Sequence, residues 1–162
     1  MAILKLDLGE FDEIDYYLIA IHTSLEDYRL AFFINQMLPV NLSKSKSEIQ
    51  INIEEGETGF SRFYYEDIES GISWNLIQNK NEVIQYNKGN NQNLFSNVSM
   101  EVSTKVFLLP EFKKVDYFLK IEHHEDAINV SQTQLLLNTI NSISTVYIVD
   151  TNKIKSKNNL IF

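Results

Sequence analysis

Cysteine is absent, which excludes disulfides, thiolate nucleophiles and zinc–thiolate centres together and suits a reducing compartment. Only 5 of the 162 residues are glycine and 2 are proline. That leaves little material for a phosphate cradle, and extended disorder is not the compositional default. Apolar runs such as "VFLL" and "AFFI" fall far short of the ~20 residues that cross a bilayer, so no membrane partner is expected. The opening "MAILKLDLGEFDEIDYY" turns acidic within seven residues and has no apolar h-region, so no signal peptide is read. Positive charge is short as well: 14 Lys and Arg stand against 22 Asp and Glu, a net charge of −8. Nucleic-acid binders displace phosphate counterions with a basic stripe, and only the tail "KIKSKNN" (residues 153–159) offers one, so no nucleic acid is expected. The G-x-S-x-G, P-loop, G-x-G-x-x-G and H-E-x-x-H patterns are all missing, and no cofactor is expected.

What is present suits a soluble cytoplasmic protein, with 44% hydrophobic and 22% charged residues. Residues 1–152 are expected to form a single α+β domain, and residues 153–162 a flexible tail. Alternation predicts strands at 3–8 and 47–54, and β-branched and aromatic enrichment predicts another at 14–23. From Thr23 the period changes. Leu25, Tyr28, Phe32, Phe33, Met37 and Leu38 mark the buried side of a helix, with Thr23 and Glu26 as a capping box and Pro39 as the stop. "EEGETG" reads as a turn, "FSRFYYEDI" and "ISWNLIQN" as a hairpin, and "EVIQYN" as an edge strand. A polar loop (87–97) leads to strands at "STKVFLL" and "VDYFLKIEHH". A helix with Val130, Thr133, Leu136, Leu137, Ile140 and Ile143 on one face follows, then the strand "TVYIVD".

One phrase occurs twice: "LGEFDEIDYYL" at Leu8 and "LPEFKKVDYFL" at Leu109, with six of eleven positions identical. The predicted fold therefore has two pseudo-symmetric β-β-α-β halves (1–54 and 103–150), mostly antiparallel sheet packed against two helices. A central hairpin region (55–102) is inserted between them. In the second copy Tyr117, Leu119, Ile121 and His123 should face the core, matched in the first by Tyr16, Leu18, Ala20 and His22. Tyr17, Ile19 and Ile21 are apolar too, so the first strand is a candidate for cover on both sides.

The repeated acids admit two readings. In one, Glu10, Asp15, Glu111 and Asp116 shape turns, their carboxylates accepting backbone N–H groups. In the other they converge, with the equivalent histidines His22 and His123, as a cation or acid/base site. A second candidate is a contact surface of Phe60, Arg62, Tyr64 and Trp74, because aromatics with arginine anchor interfaces. Phe63, Tyr65 and Trp74 are alternatively core residues.

"LPEFKKVDY" (residues 109–117) resembles the signature of the IPExxxVDY family, small proteins of the Bacteroidetes. Pro110, Glu111, Val115, Asp116 and Tyr117 match, and Leu109 replaces the isoleucine. The upstream "IAIHTSLEDYRLAFFIN" is similar to the family's N-terminal stretch. The resemblance implies a soluble bacterial cytoplasmic protein and carries no activity with it. It also implies genes encoded beside those for ribonuclease III, fatty-acid synthesis and pyruvate kinase. The expected function is a non-enzymatic protein-interaction or regulatory module, its partner another protein or its own copy. The alternative is a small metal-dependent enzyme using the duplicated acids and histidines.

Overall fold

The computed structural model describes residues 15–54, 56–87, 100–123 and 128–162. Their elements are, in order, β1 (Asp15–Thr23), α1 (Asp27–Met37), β2 (Ser43–Lys44), β3 (Ile49–Ile53), β4 (Gly56–Phe60), β5 (Arg62–Asp67), β6 (Ile72–Gln78), β7 (Lys80–Asn87), β8 (Met100–Phe107), β9 (Tyr117–His123), α2 (Val130–Asn138) and β10 (Ile143–Ile148). Short 3-10 turns cover Pro110–Phe112, Thr151–Lys153 and Lys157–Leu160. The class is mixed α+β, mostly antiparallel sheet with two helices.

Six strands form one antiparallel sheet in the order β10-β1-β9-β6-β5-β2. Two ribbons, β3–β4 and β7–β8, stand apart from it. Both faces of the sheet are buried, as the apolar character of β1 suggested. Ile19, Ile21, Trp74, Leu76, Leu119 and Ile121 pack with Leu30 and Ile34 of α1 and Leu137 of α2. Leu18, Ala20, Ile77 and Phe118 face the other way, onto Ile49, Phe60, Val106, Leu108 and the C-terminal Ile154 and Leu160. The order is helices, sheet, then a layer of ribbons and turns. Gly71, at φ +70°, closes the β5–β6 turn in a conformation that glycine adopts without steric cost.

Several expectations need correction. The stripe read for α1 holds in part: Leu38 is buried and Leu25, Phe33 and Met37 pack on the core, but Tyr28 and Phe32 are 58% and 56% exposed, and Leu30, Ala31 and Ile34 are buried in their place. Thr23 does not cap α1. Its hydroxyl donates to the Ser142 carbonyl and accepts from the Leu25 N–H, and the N-cap is Glu26. "EEGETG" runs directly into β4 rather than forming a turn alone. Residues 153–162 are no loose tail: Ile154 and Leu160 are buried in the second core.

The doubled phrase does not encode equivalent halves on an exact twofold. β1 and β9 are antiparallel neighbours, Ile19 opposite Leu119, and α1 and α2 follow them on one face. Yet Leu18 lies in the second core and its counterpart Leu119 in the first. A shift of one residue transfers a strand's whole side-chain set to the opposite face. The outer strands differ too. β10 lies beside β1, whereas β6 takes the place beside β9 and β3 sits in a ribbon. The hairpin β5–β6 is therefore part of the main sheet, not an appendage. Strand 3–8, Glu10 and the loop at 88–97 lie outside the described residues.

Candidate functional site

The second phrase is a structural knot. Glu111 accepts the backbone N–H groups of Lys155 and Ser156, each at 2.9 Å, and the Ser156 hydroxyl at 3.0 Å. Burial opposes its ionisation, but these hydrogen bonds outweigh that and hold the carboxyl below its ordinary range. Asp116 accepts the Thr23 N–H at 2.9 Å and the Lys80 ammonium at 2.8 Å, joining the start of β9 to the end of β1 and to β7. Val115 is buried. The Tyr117 hydroxyl donates to the Leu25 carbonyl at 2.8 Å. Burial, with the nearby charges of Asp27, Asp116 and Glu26, pushes that phenol up to about 12.

Asn79, which the sequence reading passed over, completes the knot. It is fully buried. Its side-chain N–H groups reach the carbonyls of Phe112 (2.9 Å) and Val115 (2.8 Å), and its side-chain oxygen accepts the Leu109 N–H (2.9 Å). Its backbone N–H donates to the Asp116 carbonyl, and its own carbonyl accepts from Leu108. A lone asparagine between two strands carries no periodic signal that could have revealed this.

The expected acid–histidine cluster does not assemble from the described members. Asp15 is the cross-strand partner of His123, while Asp116 sits at the far end of the pair, about 23 Å away by the rise of a strand. His123 stacks on Tyr17 with ring centres 4.7 Å apart, and His22 lies 5.7 Å from Tyr147 at the opposite end. Antiparallel pairing separates what the linear repeat made look equivalent. Among the described residues no group of three or more His, Asp or Glu is placed to hold a metal ion.

The aromatic contact surface also divides. Phe60 and Trp74 are buried in opposite cores. Arg62 and Tyr64 are half-buried on the face that carries the ribbons, where they join a polar island in the sheet. At its centre is Lys120, on a central strand, its side chain 8% exposed. The ammonium bonds Glu122 and the Leu160 carbonyl (2.8 Å), and lies 5.1 Å from the Tyr16 ring centre and 5.0 Å from that of Phe162. Arg62 lies 4.7 Å from the same Phe162 ring and donates through Nε to Asn75 at 2.8 Å. Burial lowers the guanidinium from its ordinary value, opposed by Tyr64 and Glu122. Beside this island opens a cavity of about 570 Å³, lined by Tyr16, Lys120, Glu122, Asn152, Lys157 and Phe162 among others.

The sheet's two edges differ. β2 is two residues long and carries Lys44. β10 runs six residues without a charge. The Val149 N–H donates to the Leu18 carbonyl, and strand alternation then turns the backbone groups of Val146 and Ile148 outward, while a register shift opposite His22 and Thr23 breaks the alternation at Ser144. One outward group is occupied from within the chain: the Gln134 amide of α2 donates to the Val146 carbonyl at 3.1 Å.

No family model, curated protein or solved structure matches this chain. Among the described residues no helix is long and apolar enough to cross a membrane.

Proposed function

We propose that the chain is a protein-interaction module without chemistry of its own, and that a partner's extended strand adds to the outer edge of β10. The carrying observation is an uncharged edge without the lysine or proline by which sheet edges are commonly protected, regular over Thr145–Ile148 and interrupted only by a register shift at its start, opposite His22 and Thr23. Strand addition draws affinity from main-chain hydrogen bonds, and such an edge offers them. Leu135 of α2 (66% exposed) and Ile148 (37%) supply apolar surface on the two elements that form this side. Glu111 and Asp116 are engaged in holding backbone, which supports the fold-shaping reading of the repeated acids over a metal-dependent enzyme.

The same proposal includes membership of the IPExxxVDY family and a cytoplasmic location. It rests on the match at residues 109–117, where the matched polar residues are ones the fold uses. The repeated phrase is read as the trace of a duplicated strand–helix unit, β1–α1 and β9–α2, whose copies slipped by one residue.

A second copy of the chain is the first partner to test. Light scattering from low to high micromolar concentration should show a dimer that Ile148→Lys abolishes without unfolding the protein. A strict monomer throughout, together with no binding of a peptide carrying the sequence of Ile143–Ile148, overturns the proposal.

A further inference from the structure

A lysine on a central strand is costly to bury unless its donors are occupied. Lys120 has three N–H donors. One meets Glu122 and one the Leu160 carbonyl, while the aromatic faces of Tyr16 and Phe162 lie about the third. Arg62 lies over the same Phe162 ring, so two cations meet one aromatic ring with Glu122 close to both. Lys157 stands in the lining of the same cavity, which also includes Asp15. The lining carries two lysines and two carboxylates, and with Glu122 taken by Lys120 the Lys157 ammonium is the cation left to meet an anion. The cavity, at about 570 Å³, falls in the range of small-molecule sites.

We propose that this cavity binds a small organic anion carrying a planar ring, an aryl or heteroaryl carboxylate or phosphate ester. The anionic oxygens take the remaining donor of Lys120 and the ammonium of Lys157. The ring lies against Tyr16 or Phe162, whose faces already accommodate flat or cationic groups. Asn152, on the wall, offers an amide to a further ligand oxygen. The inference is independent of the β10 edge, which belongs to the opposite margin of β1 from β9.

The test is calorimetric titration of the intact chain with three probes: phenyl phosphate, inorganic phosphate and benzyl alcohol. Phenyl phosphate is expected to bind saturably and about tenfold or more tighter than either fragment alone. Lys157→Ala and Phe162→Ala, both at exposed positions, should each weaken it by about tenfold, as loss of one charge-assisted hydrogen bond or one stacking face implies. Lys120→Met should abolish it, and the two exposed variants keep the test valid if that chain fails to fold. No saturable binding of phenyl phosphate overturns the proposal. So does equal affinity for inorganic phosphate, or binding unchanged in both exposed variants.

Discussion

On its helix side the six-stranded sheet is held by hydrocarbon: Ile19, Ile21, Leu119 and Ile121 meet Leu30, Ile34 and Leu137. On its other side the cover is made of two ribbons, a 3-10 turn and the C-terminal segment, and polar side chains stitch them down: Asn79, Glu111, Asp116 and Lys120. The difference follows from backbone chemistry. A helix satisfies most of its own N–H and C=O groups and need only present an apolar stripe. Short turns and chain ends leave such groups unpaired, and burying them requires side-chain partners. The segment 109–117 belongs to the stitched side, where Glu111 and Asp116 hold backbone N–H groups.

The sharpest probe of this contrast is Leu119→Ala, which removes hydrocarbon beneath the helices and should cost about 3 kcal/mol in urea unfolding. Asn79→Ala should cost about 2 kcal/mol on the stitched side, because it leaves a buried N–H and two carbonyls without partners. A cost near zero for Asn79→Ala would remove the distinction between the two faces. Replacing the ion pair as a unit, Lys120→Met with Glu122→Leu, should cost about 1 kcal/mol: an apolar pair offsets the lost attraction, but the Leu160 carbonyl loses its donor. No loss at all would remove Lys120 from the groups that hold the C-terminal segment.

The smallest effect is a pH dependence. Tyr117 ionises at about 12 in the folded chain against 10.0 ordinarily. The folded state thus holds its proton where the unfolded state has released it. This contribution is fully present below pH 10 and is lost as pH rises to about 12. Tyr117→Phe should flatten the alkaline limb of the stability profile, and an unchanged slope would contradict the assignment.

The strands at 14–23, 47–54 and in the β5–β6 hairpin were legible because alternation and β-branched runs reflect local geometry. So was α1 as a helix, with part of its buried face: Leu25, Phe33, Met37 and Leu38 lie on the core, Tyr28 and Phe32 do not. Tyr28 and Phe32 share helical spacing just as Leu30 and Ile34 do, and spacing alone does not rank two stripes. Of the repeated acids, Glu111 and Asp116 were legible as backbone partners, but not which backbone: Asp116 serves Thr23, 93 residues away. Asn79, Lys120 and the pinning of Leu42 by Asn35 left no pattern at all, because each is a single polar residue whose role depends on distant chain.

By itself the sequence determined the α+β class, the lengths of most strands and helices, and the absence of thiol chemistry, since each depends on neighbouring residues or on composition. Only the tertiary structure decided that β1 and β9 lie side by side, that the matched Leu18 and Leu119 face opposite ways, and that a charged lysine sits in the sheet. Those outcomes depend on strand register. Register is chosen by total burial across contacts far apart in the chain, where a slip of one residue exchanges the inside for the outside.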